Sequence, residues 1–153
     1  MTKRSVAHCT FVIERTFSAP PALVFTAFAD PAKKARWCCH ENWECLLMDF
    51  RVGGREISRG SEPGGPVYAF DGLYQDIVTD ERIIFAYTMD RDGVRVSAST
   101  ATIEISPDGA GAHLVFTDQG AYLDRLASPE DRERGTSEGL DNLAAYLRRE
   151  AAV

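Results

Sequence analysis

The stretch Ser128–Glu150, SPEDRERGTSEGLDNLAAYLRRE, constrains the fold more than any other part of the chain. It reads as one long helix. Ser128 suits the cap position, where a hydroxyl accepts from an orphan backbone N–H. Pro129 suits the first turn, where a missing N–H costs nothing. Glu130 and Asp131 face the positive end of the helix dipole, and Arg148 and Arg149 the negative end. Leu140, Leu143, Ala144 and Leu147 recur at i, i+3, i+4 and i+7, so one face is apolar. A helix of about twenty residues spans roughly 30 Å. It therefore needs a broad apolar surface to lie on.

Gly135 and Gly139 interrupt this helix one turn apart, near the apolar stripe. Each costs about 1 kcal/mol relative to alanine in a helix interior. Either the helix packs closely on a sheet there, or the missing side chains leave room for a ligand beneath it. The glycines alone leave both explanations open.

The rest of the chain supplies the surface. Cys9–Phe17 alternates as a strand, with Cys9, Phe11, Ile13 and Phe17 on one face and Arg15 interrupting it. Ser18–Pro21 starts a short helix buried through Leu23, Val24, Ala27 and Phe28. Asp30-Pro31 opens a second, running to about Trp37, and this pair of helices carries few groups suited to chemistry. From Trp43 the period becomes two. Strands are expected at Glu44–Val52, Arg55–Gly60, Val67–Val78 (with Gly72 a bulge), Arg82–Met89, Val94–Ile105 and Ala112–Asp118. Gly53-Gly54, Asp90–Gly93 and Pro107–Gly109 supply tight turns, and Ser61–Pro66 a loop. Consecutive strands joined this way make an antiparallel meander. Such a sheet has one face to bury, and only the last helix is long enough to cover it. A curved sheet gripping a helix encloses a space where ligands bind.

This order resembles a known group. Phe17–Phe25 (FSAPPALVF), followed by Asp30-Pro31 and Trp37, resembles the opening of the START-like (SRPBCC) superfamily. The branch related to the C-terminal domain of activators of the heat-shock-protein-90 ATPase is the most similar. Phe50–Arg55 resembles that branch's glycine hairpin, and Gly72–Val78 with Glu81–Phe85 its following strand pair. Glu138–Leu143 with Tyr146-Leu147 resembles its last helix. Leu140 stands where many relatives carry tryptophan, which suggests a roomier cavity. Asp49-Phe50 and Cys38-Cys39-His40 also depart from the pattern. The resemblance implies an α+β helix-grip fold (START-like, Bet v 1-like): a curved antiparallel sheet of about six or seven strands around a long C-terminal helix. Two short helices follow the first strand. It implies a hydrophobic cavity but no single activity, because relatives bind lipids, hormones or polyketides, some cyclise substrates, and one group assists a chaperone.

One domain over residues 1–153 is expected from the length, and 44% hydrophobic residues suffice for its core. A net charge of −6 without a basic run argues against nucleic acid. No apolar run approaches the roughly 18 residues that span a bilayer, and MTKRSVAHCTFVIER lacks the apolar region of a signal peptide. A cytoplasmic protein with free thiols at Cys9, Cys38, Cys39 and Cys45 is the expectation. These cysteines lack zinc-site spacing, so no metal and no cofactor is expected. His40 would lower a thiol pKa if the Cys38-Cys39 pair faced a pocket.

No nucleophile motif surrounds His8, His40 or His113. Asp71, Asp76, Glu104 and Asp118 fall in or beside strands, Glu104 facing outward; any that faced inward would have a raised pKa. Arg15, Arg55 and Arg95 are weighed as anchors for an anionic group and read as exposed strand positions. The candidate cavity lining is Trp37, Trp43, Phe70, Tyr74, Phe85, Tyr87, Phe116 and Tyr122, with Gly139, Leu140 and Leu143 from the helix. The expected function is binding of a hydrophobic small molecule, lipid-like or aromatic. A cyclase-like enzyme using the same cavity and a chaperone-directed interaction module are the alternatives. A homodimer through a strand edge or the Ser61–Pro66 loop is left open.

Overall fold

Ten elements form in the computed structural model, which describes residues 3–40 and 42–152. They are β1 (Val6–Phe17), α1 (Pro21–Ala29), α2 (Pro31–Cys38), β2 (Trp43–Met48), β3 (Arg55–Ser61), β4 (Val67–Val78), β5 (Arg82–Arg91), β6 (Val94–Asp108), β7 (Gly111–Leu123) and α3 (Pro129–Ala151). All seven strands join one sheet in the order β1-β7-β6-β5-β4-β3-β2, every pair antiparallel. Tight turns carry the meander from β2 to β7, and β1 returns to pair with β7 at the far edge. With α3 held against the curved sheet, this is the α+β helix-grip fold.

The caps are where local chemistry puts them. Ser128 Oγ accepts from the Asp131 N–H at 3.2 Å, and the Asp30 side chain accepts from the Ala32 and Lys33 N–H groups. Leu140, Leu143, Tyr146 and Leu147 form the buried face of α3. They join Val24, Phe25 and Phe28 of α1 and the inward residues Phe11, Ile13, Ile103 and Leu114 in one core. Among the described residues no helix is long and apolar enough to cross a membrane.

The strands differ from expectation in several places. The first turn comes early: β2 ends at Met48, and Asp49–Gly54 forms the connection. A Cβ at Gly54 would stand 2.0 Å from the Asp49 carbonyl oxygen, so only glycine fits that turn. β7 runs on to Leu123 because it pairs along its whole length with β1, Val6 opposite Leu123, a partner that alternation within Ala112–Asp118 cannot reveal. Gly72 is not a bulge: its register is continuous with Glu56 and Tyr87, and the irregularity of β4 lies between Tyr74 and Asp76.

Candidate functional site

The register of the sheet lays out the floor of the site. One inward row runs Glu56, Gly72, Tyr87, Ser99, and the next Ser58, Phe70, Met89, Ser97. Phe70 fills the space that Gly72 leaves: a Cβ there would stand 2.9 Å from the Phe70 ring. Phe70 thereby separates Glu56 on β3 from Tyr87 on β5, two strands or roughly 10 Å apart. Its ring stacks on Tyr87 at 5.1 Å and meets Phe85 edge-on at 6.1 Å.

Above this floor α3 changes character. Its second half packs into the core, whereas its first half stands over a cavity of about 630 Å³. Trp37, Trp43, Phe70, Phe85 and Phe116 stand on the cavity wall with Gly139 and Leu140. Tyr74, Tyr87, Tyr122 and Leu143 do not: all four are buried behind it. A Cβ at Gly135 or Gly139 would meet nothing within 4 Å, although both residues border the cavity. Of the two explanations for these glycines, close packing is therefore excluded.

Two clusters of buried polar groups flank Phe70. On one side Lys34 Nζ donates to Glu56 Oε1 at 2.6 Å, and Tyr74 OH donates to the same oxygen. Lys34 is 9% exposed and Glu56 6%. Burial by itself would push the Lys34 ammonium down, but the Glu56 carboxylate, helped by Tyr74 and Cys38, outweighs it and holds the pKa above its ordinary value. Burial and the same carboxylate push the Tyr74 phenol up, against the lysine charge. The lysine of this set lies on α2, one of the two helices expected to carry few groups suited to chemistry. Lys34 precedes Trp37 by three residues, so both face the cavity.

On the other side Tyr87 OH donates to Asp118 Oδ2 at 2.5 Å and accepts from Arg132 Nη1 at 3.1 Å. Arg132 Nη2 donates to Ser97 Oγ at 2.8 Å. The guanidinium lies over the rings of Tyr87 and Tyr122, 5.6 and 5.4 Å from their centroids. Asp118, 1% exposed, is the inward carboxylate among the four strand candidates, and burial raises its pKa despite the Tyr87 bond and the Arg132 charge. Asp118 Oδ1, Tyr122 OH and Ser99 Oγ are buried without a hydrogen-bond partner among the described residues.

The arginines weighed from sequence are engaged elsewhere. Arg15 bonds Ser137 and Asp141, Arg55 bonds Asp71, and Arg95 bonds Asp90. Arg132 was missed, though it lies eight residues before Leu140 and so falls on the same helix stripe. The cysteine cluster is not an activated one. Cys38 and His40 both border the cavity. Burial nevertheless pushes the Cys38 thiol up to about 11 against the nearby Lys34 charge. His40 Nδ1 instead accepts from the Asn42 N–H at 3.2 Å. Burial likewise raises Cys45, helped by its hydrogen bond with Cys39.

Comparison with known proteins gives a consistent picture. Residues 18–148 match the family described as Activator of Hsp90 ATPase homolog 1-like protein. The Mll3558 protein from Rhizobium loti is 47% identical in sequence; the match covers 93% of this chain and 99% of that one, with a TM-score of 0.87. An uncharacterized protein from Rhizobium leguminosarum is 42% identical over 97% of this chain and 99% of its own, with a TM-score of 0.91. Protein CV1439 from Chromobacterium violaceum is 33% identical over 89% and 94%, with a TM-score of 0.76. No curated protein matches.

Proposed function

The chain belongs to the Activator of Hsp90 ATPase homolog 1-like family, and from that premise we propose that it binds a small hydrophobic molecule between the sheet and the first half of α3. Trp37, Trp43, Phe70, Phe85 and Phe116 supply the aromatic wall, and Leu140 the apolar ceiling beside Gly139. The observation that carries this reading is the cavity of about 630 Å³ under the first half of α3, bordered by Gly135 and Gly139, where a Cβ would meet nothing within 4 Å. Two helix-weakening residues bordering a packed core would be a cost without a return; bordering a cavity, they leave the room a ligand needs. Each apolar Å² that a ligand removes from water contributes about 25 cal/mol, so an aromatic body filling part of 630 Å³ is held without any covalent or metal contact.

The test is a titration with N-phenylnaphthylamine, an uncharged aromatic probe that fluoresces in apolar surroundings. Saturable binding at one site is expected, with the cavity-filling Gly139→Leu variant losing about tenfold or more in affinity while remaining folded. Absence of saturable binding to the wild-type protein sinks the reading.

A further inference from the structure

Resting on that reading, we propose that the ligand is an amphiphile with one anionic head group, and that the Arg132 guanidinium is its anchor. Arg132 is half-buried and borders the cavity. The described hydrogen-bond partners of its guanidinium are two neutral hydroxyls, Tyr87 OH and Ser97 Oγ. The Tyr87 proton is already committed to Asp118, so the guanidinium reaches that carboxylate only through an intervening phenol. Arg51, Arg55, Arg82 and Arg95, by contrast, each hold a carboxylate directly at the surface. Lys34, the buried cation across Phe70, is matched by Glu56 at 2.6 Å. A guanidinium carries five N–H donors in a planar fork. Two are used here, and the fork is fixed by the rings of Tyr87 and Tyr122.

The surroundings fit such a head group. Gly135, three residues on and one turn along α3, leaves the space next to the guanidinium open. Arg91, at the end of β5, also borders the cavity and adds positive charge. The acidic groups bordering the cavity are Glu56, matched by Lys34 at 2.6 Å, Asp131, held by Arg134 at 3.0 Å, and Glu138. In a chain of net charge −6, an inward cation whose described hydrogen-bond partners are neutral is selective for an anion that also has an apolar body. The body lies on Phe70, Phe85 and Met89, and a carboxylate or a sulfonate receives charge-assisted hydrogen bonds from the fork.

A matched pair of probes reads the anchor separately from the cavity. Anilinonaphthalene sulfonate and N-phenylnaphthylamine share one aromatic body and differ by the anionic group. Wild-type protein is expected to bind the sulfonate about tenfold more tightly. Arg132→Gln should erase that preference while leaving the affinity for the neutral probe. Arg132→Lys, which keeps the charge but loses the fork, should retain part of it, and guards against a folding defect in the first variant. Arg82→Gln, at a surface ion pair outside the cavity lining, should change neither affinity. Equal binding of the two probes by wild-type protein, or a preference that survives Arg132→Gln, overturns the anchor and leaves the hydrophobic cavity standing. Failure of both probes to bind overturns both.

Discussion

On one side of Phe70, Lys34, Glu56 and Tyr74 form a closed set: a cation, an anion and a phenol whose hydrogen bonds converge on a single carboxylate oxygen. On the other, Arg132, Tyr87 and Asp118 form an open one, in which cation and anion are held apart by a hydroxyl and Asp118 Oδ1 is left without a partner. Both sets are buried charge beside the same cavity. The closed set resembles the buried ion pairs that hold two elements in register, here α2 and β3; removing one partner of such a pair costs far more than replacing both. The open set is incomplete by itself, and a group that arrives from outside completes it.

The largest effect is expected from breaking the closed set. Glu56→Gln leaves the Lys34 ammonium buried without its anion, and the fold should lose about 3–5 kcal/mol in urea denaturation. A loss below about 1 kcal/mol would mean that Lys34 escapes to water and that the two clusters differ less than their geometry says. Replacing both partners, Lys34→Met with Glu56→Leu, removes both charges at once. This double variant should be more stable than either single one, its remaining deficit of about 1–3 kcal/mol coming from the orphaned Tyr74 hydroxyl. A double-mutant cycle measures that coupling.

The open set is tested by pH. Burial raises the Asp118 carboxyl above its ordinary 3.8, so the folded form holds that proton more tightly than the unfolded chain. Its ionisation therefore costs stability. The cost is absent below the unfolded pKa and fully present above the folded one. Asp118→Asn cannot ionise, and its amide oxygen still accepts from Tyr87. The melting temperature of the variant relative to wild type should therefore rise as the pH is raised through and above the ordinary carboxylate range. A difference that stays flat or falls would mean that Arg132 compensates Asp118 fully, making the second set as closed as the first.

The smallest effect concerns the room beside Arg132. Gly135→Ala and Gly139→Ala place a methyl group where nothing lies within 4 Å. Each should stabilise the helix by up to about 1 kcal/mol in thermal denaturation. Destabilisation by either would show that the helix approaches the sheet there and that the space is needed by the protein itself.

Particular residues show how far the sequence could be read. Asp118 was within reach: Leu114, Phe116 and Asp118 alternate, so the carboxylate shares a face with two apolar residues. Glu56 was not. In Arg55–Ser61 the inward set is Glu56 and Ser58, while Ile57 lies on the other side, so hydrophobic alternation pointed nowhere. The neighbouring strand and the Lys34 ammonium decided its facing. Tyr74, Tyr87 and Tyr122 are expected in the cavity lining, but the phenols of Tyr74 and Tyr87 find their partners in protein groups behind the wall.

By itself the sequence determined what local chemistry governs. The caps at Asp30 and Ser128, the period-two strands with their turns, and the one helix long enough to cover a sheet all follow from neighbours within a few residues. Only the tertiary structure decided whether the glycines of α3 face packing or space. It alone decided which of many charges are buried, and that Glu56, Lys34, Tyr87, Asp118 and Arg132 gather around Phe70. Those are distances between residues far apart in the chain. They are set by strand register and by where α3 leaves the sheet, which no local pattern records.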